Sequence, residues 1–211
     1  METYAITIAR GFGSGGREIA SRLADELGIH SYENRILTLA AQLSGRDEQE
    51  FVEVDERLRG SYLKNQLYRL PKRLTPKPQV SRFTSDDRLF QFQERIIREL
   101  VKEESCIIVG KCADYVLKDF DRVFSVYIEA PRSFCLKRVM ERMNVSEEEA
   151  NRLITKTDRY RADYYKYYTG GNYWTNPVNY DLTLNNGRLG DDACIEMIKY
   201  GLKVKLGVKT V

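Results

Sequence analysis

Eight residues near the start of the chain have the types and the spacing of a phosphate-binding loop. They run Gly-Phe-Gly-Ser-Gly-Gly-Arg-Glu from Gly11 to Glu18. Such a loop turns backbone N–H groups inward around phosphate oxygens, and glycine permits the turn because it has no Cβ to clash. The residues that this pattern predicts to bind a nucleotide cofactor are Gly11, Gly13, Ser14, Gly15, Gly16, Arg17 and Glu18.

Two positions depart from the usual P-loop, in which a lysine and then a serine or threonine follow the glycines. Arg17 keeps the positive charge, but its guanidinium is a planar fork of donors and not a point charge. Glu18 replaces the hydroxyl that would bind Mg²⁺, and a carboxylate there can either ligate Mg²⁺ or stabilise the helix dipole. Because Ser14 still offers a hydroxyl, Ser14 and Glu18 are the predicted metal ligands.

Basic residues from other segments could neutralise the phosphates. Arg138 and Arg142 are four residues apart, which puts them on one face of a helix. Phosphoryl transfer depends mainly on positioning and on neutralising charge, so it needs no histidine base. The one histidine of the chain, His30, agrees with this, and it nearly excludes His-based triads and multi-histidine metal sites.

Composition limits the remaining classes of protein. A chain of 211 residues fits one domain, and a net charge of +3 argues against a dedicated nucleic-acid binder. No C-x-x-C pair occurs, so the four cysteines are predicted to be buried, reduced thiols. With no leader-like start and no apolar run near the roughly 20 residues of a membrane span, we expect a cytoplasmic protein without a membrane partner.

Hydrophobic periodicity indicates the elements that must position this loop. A short buried strand is predicted at 4–9, and helical spacing follows it as far as Leu27, where Gly28 can end the helix. Further strands are predicted at 106–109, 123–128 and 181–184, with helices between them. Alternating strands and helices of this length predict an α/β fold with a parallel sheet covered on both faces.

The expected helix starts are marked by capping patterns. Asp86 and Asp87 are predicted to cap one helix, and Asp191 or Asp192 another. Pro131 has the type that favours a first helical turn. The predicted capping box runs from Ser146 to Glu149.

The charge inverts in the middle of the chain. Residues 47–56 carry six acids, whereas residues 57–85 carry eight Lys or Arg and no acid. The basic stretch could be a solvated surface or a flap that receives an anionic substrate.

Three blocks of sequence resemble the cytidylate kinase-like family, a branch of the nucleoside monophosphate kinases. Residues 6–20 resemble its opening, and residues 107–117 resemble a second block in which Lys111 stands where arginine is usual. The third block comprises Asp158, Arg161, Tyr164, Tyr165, Thr169, Gly170, Trp174 and residues 180–185. The blocks occur in the family's order and span almost the whole chain.

The resemblance implies a P-loop three-layer sandwich: a five-stranded parallel sheet with helices on both faces, an inserted substrate-binding lobe and a lid. We expect a single domain, 1–211, with the lobe at 45–88 and the lid at 144–178. The resemblance also implies ATP and Mg²⁺ as cofactors and nucleotides as substrates. On this basis the predicted catalytic residues are Arg17, Arg138, Asp158 and Arg161, and the predicted substrate-binding residues are Arg35, Lys111 and Asp114.

Tyrosines are concentrated in the third block, where seven of the 14 lie between residues 160 and 180. The plain interpretation is that Tyr160, Tyr164, Tyr167 and Tyr168 form a helix stripe that packs on the core, with residues 169–172 ending the helix. A second interpretation is that these rings, next to Arg161, cover a bound nucleotide.

The predicted function is ATP-dependent phosphoryl transfer to a small acceptor, with CMP or dCMP converted to CDP or dCDP. Two alternatives stay open. The changes at Arg17 and Glu18 suggest an inactive nucleotide- or anion-binding regulatory module. Because the sequence of the substrate-binding lobe does not identify its ligand, the second alternative is a P-loop kinase with another small acceptor. The sequence does not indicate the oligomeric state.

Overall fold

A computed structural model of the chain describes residues 2–33 and 83–208. The chain divides into two compact units: Met1–Glu33 with Ile97–Val211, and Asn34–Ile96. The first unit contains the sheet and all the site residues discussed below. The predicted lobe at 45–88 falls almost entirely outside the described residues, so it stays a prediction, as do the single domain and the lid at 144–178.

Five short strands form one parallel sheet in the order β2-β3-β1-β4-β5. Their bounds are β1 Ala5–Arg10, β2 His30–Tyr32, β3 Cys106–Val109, β4 Val123–Glu129 and β5 Leu182–Asn185. The central strand β1 pairs with both neighbours, for example Ile8 with Val109 and with Val126. The predicted α/β fold with an all-parallel five-stranded sheet is therefore confirmed.

Helices connect the strands, as parallel pairing requires. They are α1 Gly16–Leu27, α2 Phe83–Glu103, α3 Ala113–Val116, α4 Arg132–Met143, α5 Glu147–Tyr168, α6 Asn186–Leu189 and α7 Asp191–Leu206. The predicted end of α1 is confirmed, because Gly28 caps it in the left-handed conformation that glycine tolerates best.

The core lies between the sheet and the helices α1 and α7. Ile6 and Ile8 of β1 point to this face together with Val126 and Ile128 of β4, and all four are fully buried. Since side chains alternate along a strand, Tyr127 points to the opposite face. There it stacks on Tyr180 and meets the edge of Trp174.

Three predicted helix starts are wrong by small amounts. Helix α2 begins at Phe83, so Asp86 and Asp87 lie inside it. Thr84 and Ser85 are polar, so the hydrophobic periodicity gives no sign of the earlier start. Pro131 is the N-cap of α4 and not its first helical residue. Gly190 is the N-cap of α7. Asp191 and Asp192 lie in the first turn of that helix, where their negative charges interact favourably with the helix dipole.

The predicted tyrosine stripe on α5 is wrong for Tyr167. Tyr165, which was not assigned to the stripe, is buried, whereas Tyr167 is 66% exposed. Tyr160 and Tyr164 have ring centroids 5.8 Å apart, and Tyr164 and Tyr168 have ring centroids 4.7 Å apart. Hydrophobic spacing indicated a broad helix face, and at this turn the buried side of the helix carries Tyr165 in place of Tyr167.

None of the described helices has the length and apolar character needed to cross a membrane.

Candidate phosphate-binding site

The glycine loop lies between β1 and α1, at the carboxyl end of the central strand. The Gly11 N–H donates to the Ile128 carbonyl of β4 at 3.1 Å, which anchors the start of the loop to the sheet. The Ser14 hydroxyl donates to the Gly11 carbonyl at 2.9 Å and closes the turn. The structure therefore brings the predicted residues Gly11 to Glu18 into one loop at the start of a helix.

Gly15 is a position where only glycine fits. Its φ is +90°, and a Cβ added there would overlap the Asn186 side-chain amide. That amide donates to the Ser14 carbonyl at 2.8 Å, so a residue from the end of β5 holds the loop in shape.

The first turn of α1 has N–H groups available for an anion. Gly15 is its N-cap, and no side chain of the described residues caps it. A helix N-terminus carries a partial positive charge and unpaired N–H donors, which together favour phosphate. The loop can therefore receive a phosphate group through its backbone alone.

Arg138 of α4 brings a cation directly to this loop. Its guanidinium carbon lies 3.4 Å from the position of a Cβ on Gly15. Two carboxylates flank the guanidinium, Glu18 at 3.6 Å and Asp191 at 3.7 Å. Arg142, one turn further along α4, forms an ion pair with the same Glu18. The predicted shared face of Arg138 and Arg142 is confirmed.

Arg17 points away from Arg138. Its Nε lies 3.0 Å from one carboxylate oxygen of Glu33, just after β2, and the other oxygen accepts from Arg10 at 2.7 Å. Arg17 stays 57% exposed, whereas the side chains of Arg10 and Glu33 are 10% and 13% exposed.

Asp158 and Arg161 of α5 bind the backbone of the loop. One Asp158 carboxylate oxygen accepts from the Phe12 N–H at 2.9 Å and from Arg161 at 3.2 Å. Arg161 also donates to the Arg10 carbonyl at 2.9 Å. Burial raises the pKa of Asp158; the Arg161 charge and the Phe12 N–H act against that shift, and Glu129 adds to it. Both residues reach the loop, where their contacts stabilise its first residues.

The predicted metal ligands are already committed to protein partners. Ser14 is fully buried and its hydroxyl donates to Gly11, while the Glu18 carboxylate pairs with two arginines. A Mg²⁺ ion would have to displace those cations from Glu18. The described residues contain no group of three or more His, Cys, Asp or Glu that could hold a metal. Ser14 and Glu18 thus do not fit Mg²⁺ in this arrangement, and their metal role stays a prediction.

Two of the three predicted substrate-binding residues, Lys111 and Asp114, follow β3. Lys111 has a φ of +60° and comes directly after Gly110, where the Arg10 guanidinium takes the place of a Cβ. Asp114 is buried in α3 and accepts from the Tyr165 hydroxyl at 2.6 Å. Burial raises the pKa of Asp114 to about 6, although the Tyr165 hydrogen bond opposes the shift. Arg35 lies outside the described residues.

Sequence reasoning missed five residues around the loop: four of them end or directly follow strands, and the fifth, Asp191, lies in the first turn of α7. The Glu129 carboxylate occupies the space that a Cβ on Gly11 would need, and it accepts from the Tyr127 hydroxyl at 2.5 Å. The full set is Arg10, Glu33, Glu129, Asn186 and Asp191. A search for polar residues at the carboxyl ends of the predicted strands would have found most of them, because that edge of a parallel sheet forms the ligand crevice.

Comparison with known proteins agrees with this geometry. The chain is similar to an uncharacterized protein from Eubacterium ventriosum ATCC 27560, at 26% identity and a TM-score of 0.70, covering 95% of this chain and 99% of the other. Shikimate kinase from Acinetobacter baumannii shares the fold at 12% identity and a TM-score of 0.52, covering 97% and 96%. A sugar kinase from Janibacter sp. HTCC2649 does so at 15% and 0.50, covering 99% of both chains.

No curated protein sequence gives a significant match to the chain. The model of the cytidylate kinase-like family matches residues 5–188, which include the glycine loop, the arginines of α4 and the carboxylate of α5. Family membership and the P-loop kinase fold both support a phosphotransferase of P-loop type. The chain belongs to the cytidylate kinase-like family.

Proposed function

We propose that this protein transfers the γ-phosphoryl group of ATP to a small acceptor, and that the acceptor is a nucleoside monophosphate, CMP or dCMP. The observation that carries the proposal is the N-terminus of α1, which no described side chain caps, next to the Arg138 guanidinium. Backbone donors on one side and a cation on the other suit a polyphosphate.

The site's residues suit the demands of the transfer. The bond from the γ-phosphorus to the bridging oxygen of ADP breaks, and a bond forms to an oxygen of the acceptor phosphate. An ionised phosphate has no proton at the attacking oxygen, so no histidine base is needed. Arg138, Arg142 and Arg161 supply positive charge near the loop, which serves the charge neutralisation on which such reactions depend. Asp158 holds the Phe12 N–H and so keeps the loop in place.

Magnesium accompanies ATP in kinases of this kind and would supply further neutralisation of the phosphates. The carboxylate predicted to hold it, that of Glu18, is paired with Arg138 and Arg142 instead.

The test is an ADP-release assay with ATP, Mg²⁺ and either CMP or dCMP, extended to a panel of nucleoside monophosphates and small hydroxyl acceptors. We expect turnover with CMP or dCMP, and a loss of at least tenfold in the R138A variant. Turnover with another acceptor only would support the kinase activity and contradict CMP and dCMP as its substrates.

The ion pairs of Glu18 favour one alternative, an anion-binding regulatory module without transfer chemistry. That alternative predicts that ATP or ADP raises the melting temperature and that no acceptor on the panel is phosphorylated. Measured turnover would remove it.

A further inference from the structure

The cations around the glycine loop lie on two sides of it. In the strand order β2-β3-β1-β4-β5, the loop after β1 has β4 and β5 on one side and β3 and β2 on the other. Arg138 comes from the helix that follows β4, and it reaches Gly15. Arg17 belongs to α1 but extends to Glu33 at the end of β2. The residue in the position of the P-loop lysine is therefore directed away from the β4 side of the loop.

The β2 side contains a small charged cluster that we call the Arg10–Glu33–Arg17 triad. Each oxygen of the Glu33 carboxylate faces one arginine, at 2.7 Å for Arg10 and 3.0 Å for Arg17. The triad has two positive charges and one negative charge. A largely buried guanidinium such as that of Arg10 requires a paired carboxylate to be stable, and Glu33 supplies it.

Glycine at position 110 is what lets Arg10 reach this place. The Arg10 guanidinium lies where a Cβ on Gly110 would be, and Gly110 has a φ of +75°. The carboxyl ends of β1, β2 and β3 therefore meet around one guanidinium. This is the crevice edge of a parallel sheet, where ligands bind.

Arg17 has donors left for a ligand. Its contact with Glu33 is through Nε, and a guanidinium has four further N–H donors on its two terminal nitrogens. The side chain is 57% exposed, so a ligand can approach it. A guanidinium fork with two donors side by side matches the two oxygens of a phosphate or a carboxylate.

We propose that the triad is the site for the anionic group of the acceptor, with Arg17 as the contacting residue and Glu33 as a positioning residue. Arg138 then takes the part of the P-loop lysine against the donor phosphates. This inference rests on the proposed function, and it divides the site by sides: donor phosphates contact the β4 side and the acceptor anion contacts the β2 side. Arg17 acts on the acceptor and not on ATP.

The experiment separates donor affinity from acceptor affinity in six variants. ADP binding by calorimetry, with and without Mg²⁺, should change less than twofold in R17A and weaken at least tenfold in R138A. R22A is the matched control, because Arg22 lies on the same helix as Arg17 and pairs with Asp192 of α7 at 2.6 Å. R17A should also raise the KM for CMP, and R17K should recover only part of that loss, because lysine keeps the charge without the two-donor fork.

Acceptor affinity, unlike ADP affinity, should depend on Arg17. With CMP we expect R17A to raise KM at least tenfold with kcat changed less than threefold, and E33Q to raise KM as well. The R17A/E33Q double variant should be no worse than R17A, because Glu33 acts through Arg17. A merely structural role would lower kcat and the melting temperature together and would leave no such split.

Several results would overturn the inference. A tenfold loss of ADP affinity in R17A would return Arg17 to the donor side. If no acceptor is phosphorylated, the proposed function fails, but direct binding of CMP and of inorganic phosphate still decides the present inference. Equal binding of these probes by wild type and R17A, or binding of neither, contradicts the triad as an anion site.

Discussion

At the scale of single residues, two glycines shape the site because they have no Cβ. Gly15 leaves room for the Asn186 amide, and Gly110 leaves room for the Arg10 guanidinium. A methyl group at either position would meet polar atoms from another strand's end. The glycine loop therefore depends on long-range contacts as well as on its own backbone freedom.

The first prediction concerns G15A, with G28A as its control. Both glycines have positive φ, +90° and +63°, so each substitution should cost about 1–2 kcal/mol through backbone strain. Nothing lies within 4 Å of a Cβ on Gly28, whereas one on Gly15 meets Asn186. We expect G15A to lose additional stability in urea unfolding and to weaken ADP binding at least tenfold, while G28A binds ADP normally. Equal effects of the two variants on ADP binding would contradict this.

The second prediction concerns Asp114, whose pKa burial raises to about 6 from an ordinary 3.8. Between those pH values the folded state retains a proton that the unfolded chain releases, so Asp114 lowers stability as pH rises from about 4 to 6. D114N removes this dependence and still accepts from Tyr165. We expect its stability relative to wild type to improve by about 2–3 kcal/mol between pH 4 and pH 7.

Urea unfolding at four pH values in this range measures the effect. The control is Y165F, since the lost hydrogen bond raises the pKa of Asp114 further and should extend the window above pH 6. Parallel pH profiles for wild type and D114N would show that burial does not perturb this carboxyl.

At the scale of elements, parallel strands bring distant residues to one edge. Arg10, Glu33, Glu129 and Asn186 end or directly follow four different strands, and each contacts the loop or its neighbours. Helix α5 acts from outside the sheet: it extends over 22 residues and carries Asp158 and Arg161 to the loop. Its position therefore bears on the site.

The third prediction is that S146A destabilises the protein by about 1 kcal/mol. The Ser146 hydroxyl accepts from the Glu149 N–H at 3.2 Å and caps α5, as the capping-box pattern predicts. The reciprocal half of the box is replaced, because the Glu149 side chain pairs with Arg152. Urea unfolding should show S146D restoring most of the loss, and ADP affinity should change less than twofold in both variants. A loss that S146D does not restore would argue against capping.

At the scale of the whole molecule, all four cysteines are buried and none forms a disulfide. Burial raises the pKa of the Cys106 thiol to about 12 and that of Cys135 and Cys194 to about 11. Thiolate is the reactive form, so burial suppresses reactivity both by exclusion and by protonation.

The fourth prediction follows from that burial. A thiol reagent at pH 8 should label the folded protein slowly and with no fast phase, and it should label four thiols at once in denaturant. Saturating ADP should slow the labelling further, because a ligand that binds only the folded state reduces the population of open forms. A thiol that reacts at the rate of a free peptide in the native protein would contradict the structure around it.

The sequence by itself determined the class of fold and the nature of the loop. Its glycine spacing after a strand, its buried runs at 106–109 and 123–128, and Gly28 are local signals, and local physics fixes what they mean. The α4 face shared by Arg138 and Arg142 was also readable, because helical spacing determines it.

Only the tertiary structure decided where the charges point. Nothing local distinguishes an Arg17 that faces phosphate from one that faces Glu33, since their meeting depends on the order of β2 and β1 in the sheet. The same holds for Glu18, which meets Arg142 across 124 positions of sequence. Tertiary packing likewise decided that Tyr165 is buried and Tyr167 is exposed. Periodicity restricts a side chain to a face, but the partner on that face comes from elsewhere in the chain, and packing chooses it.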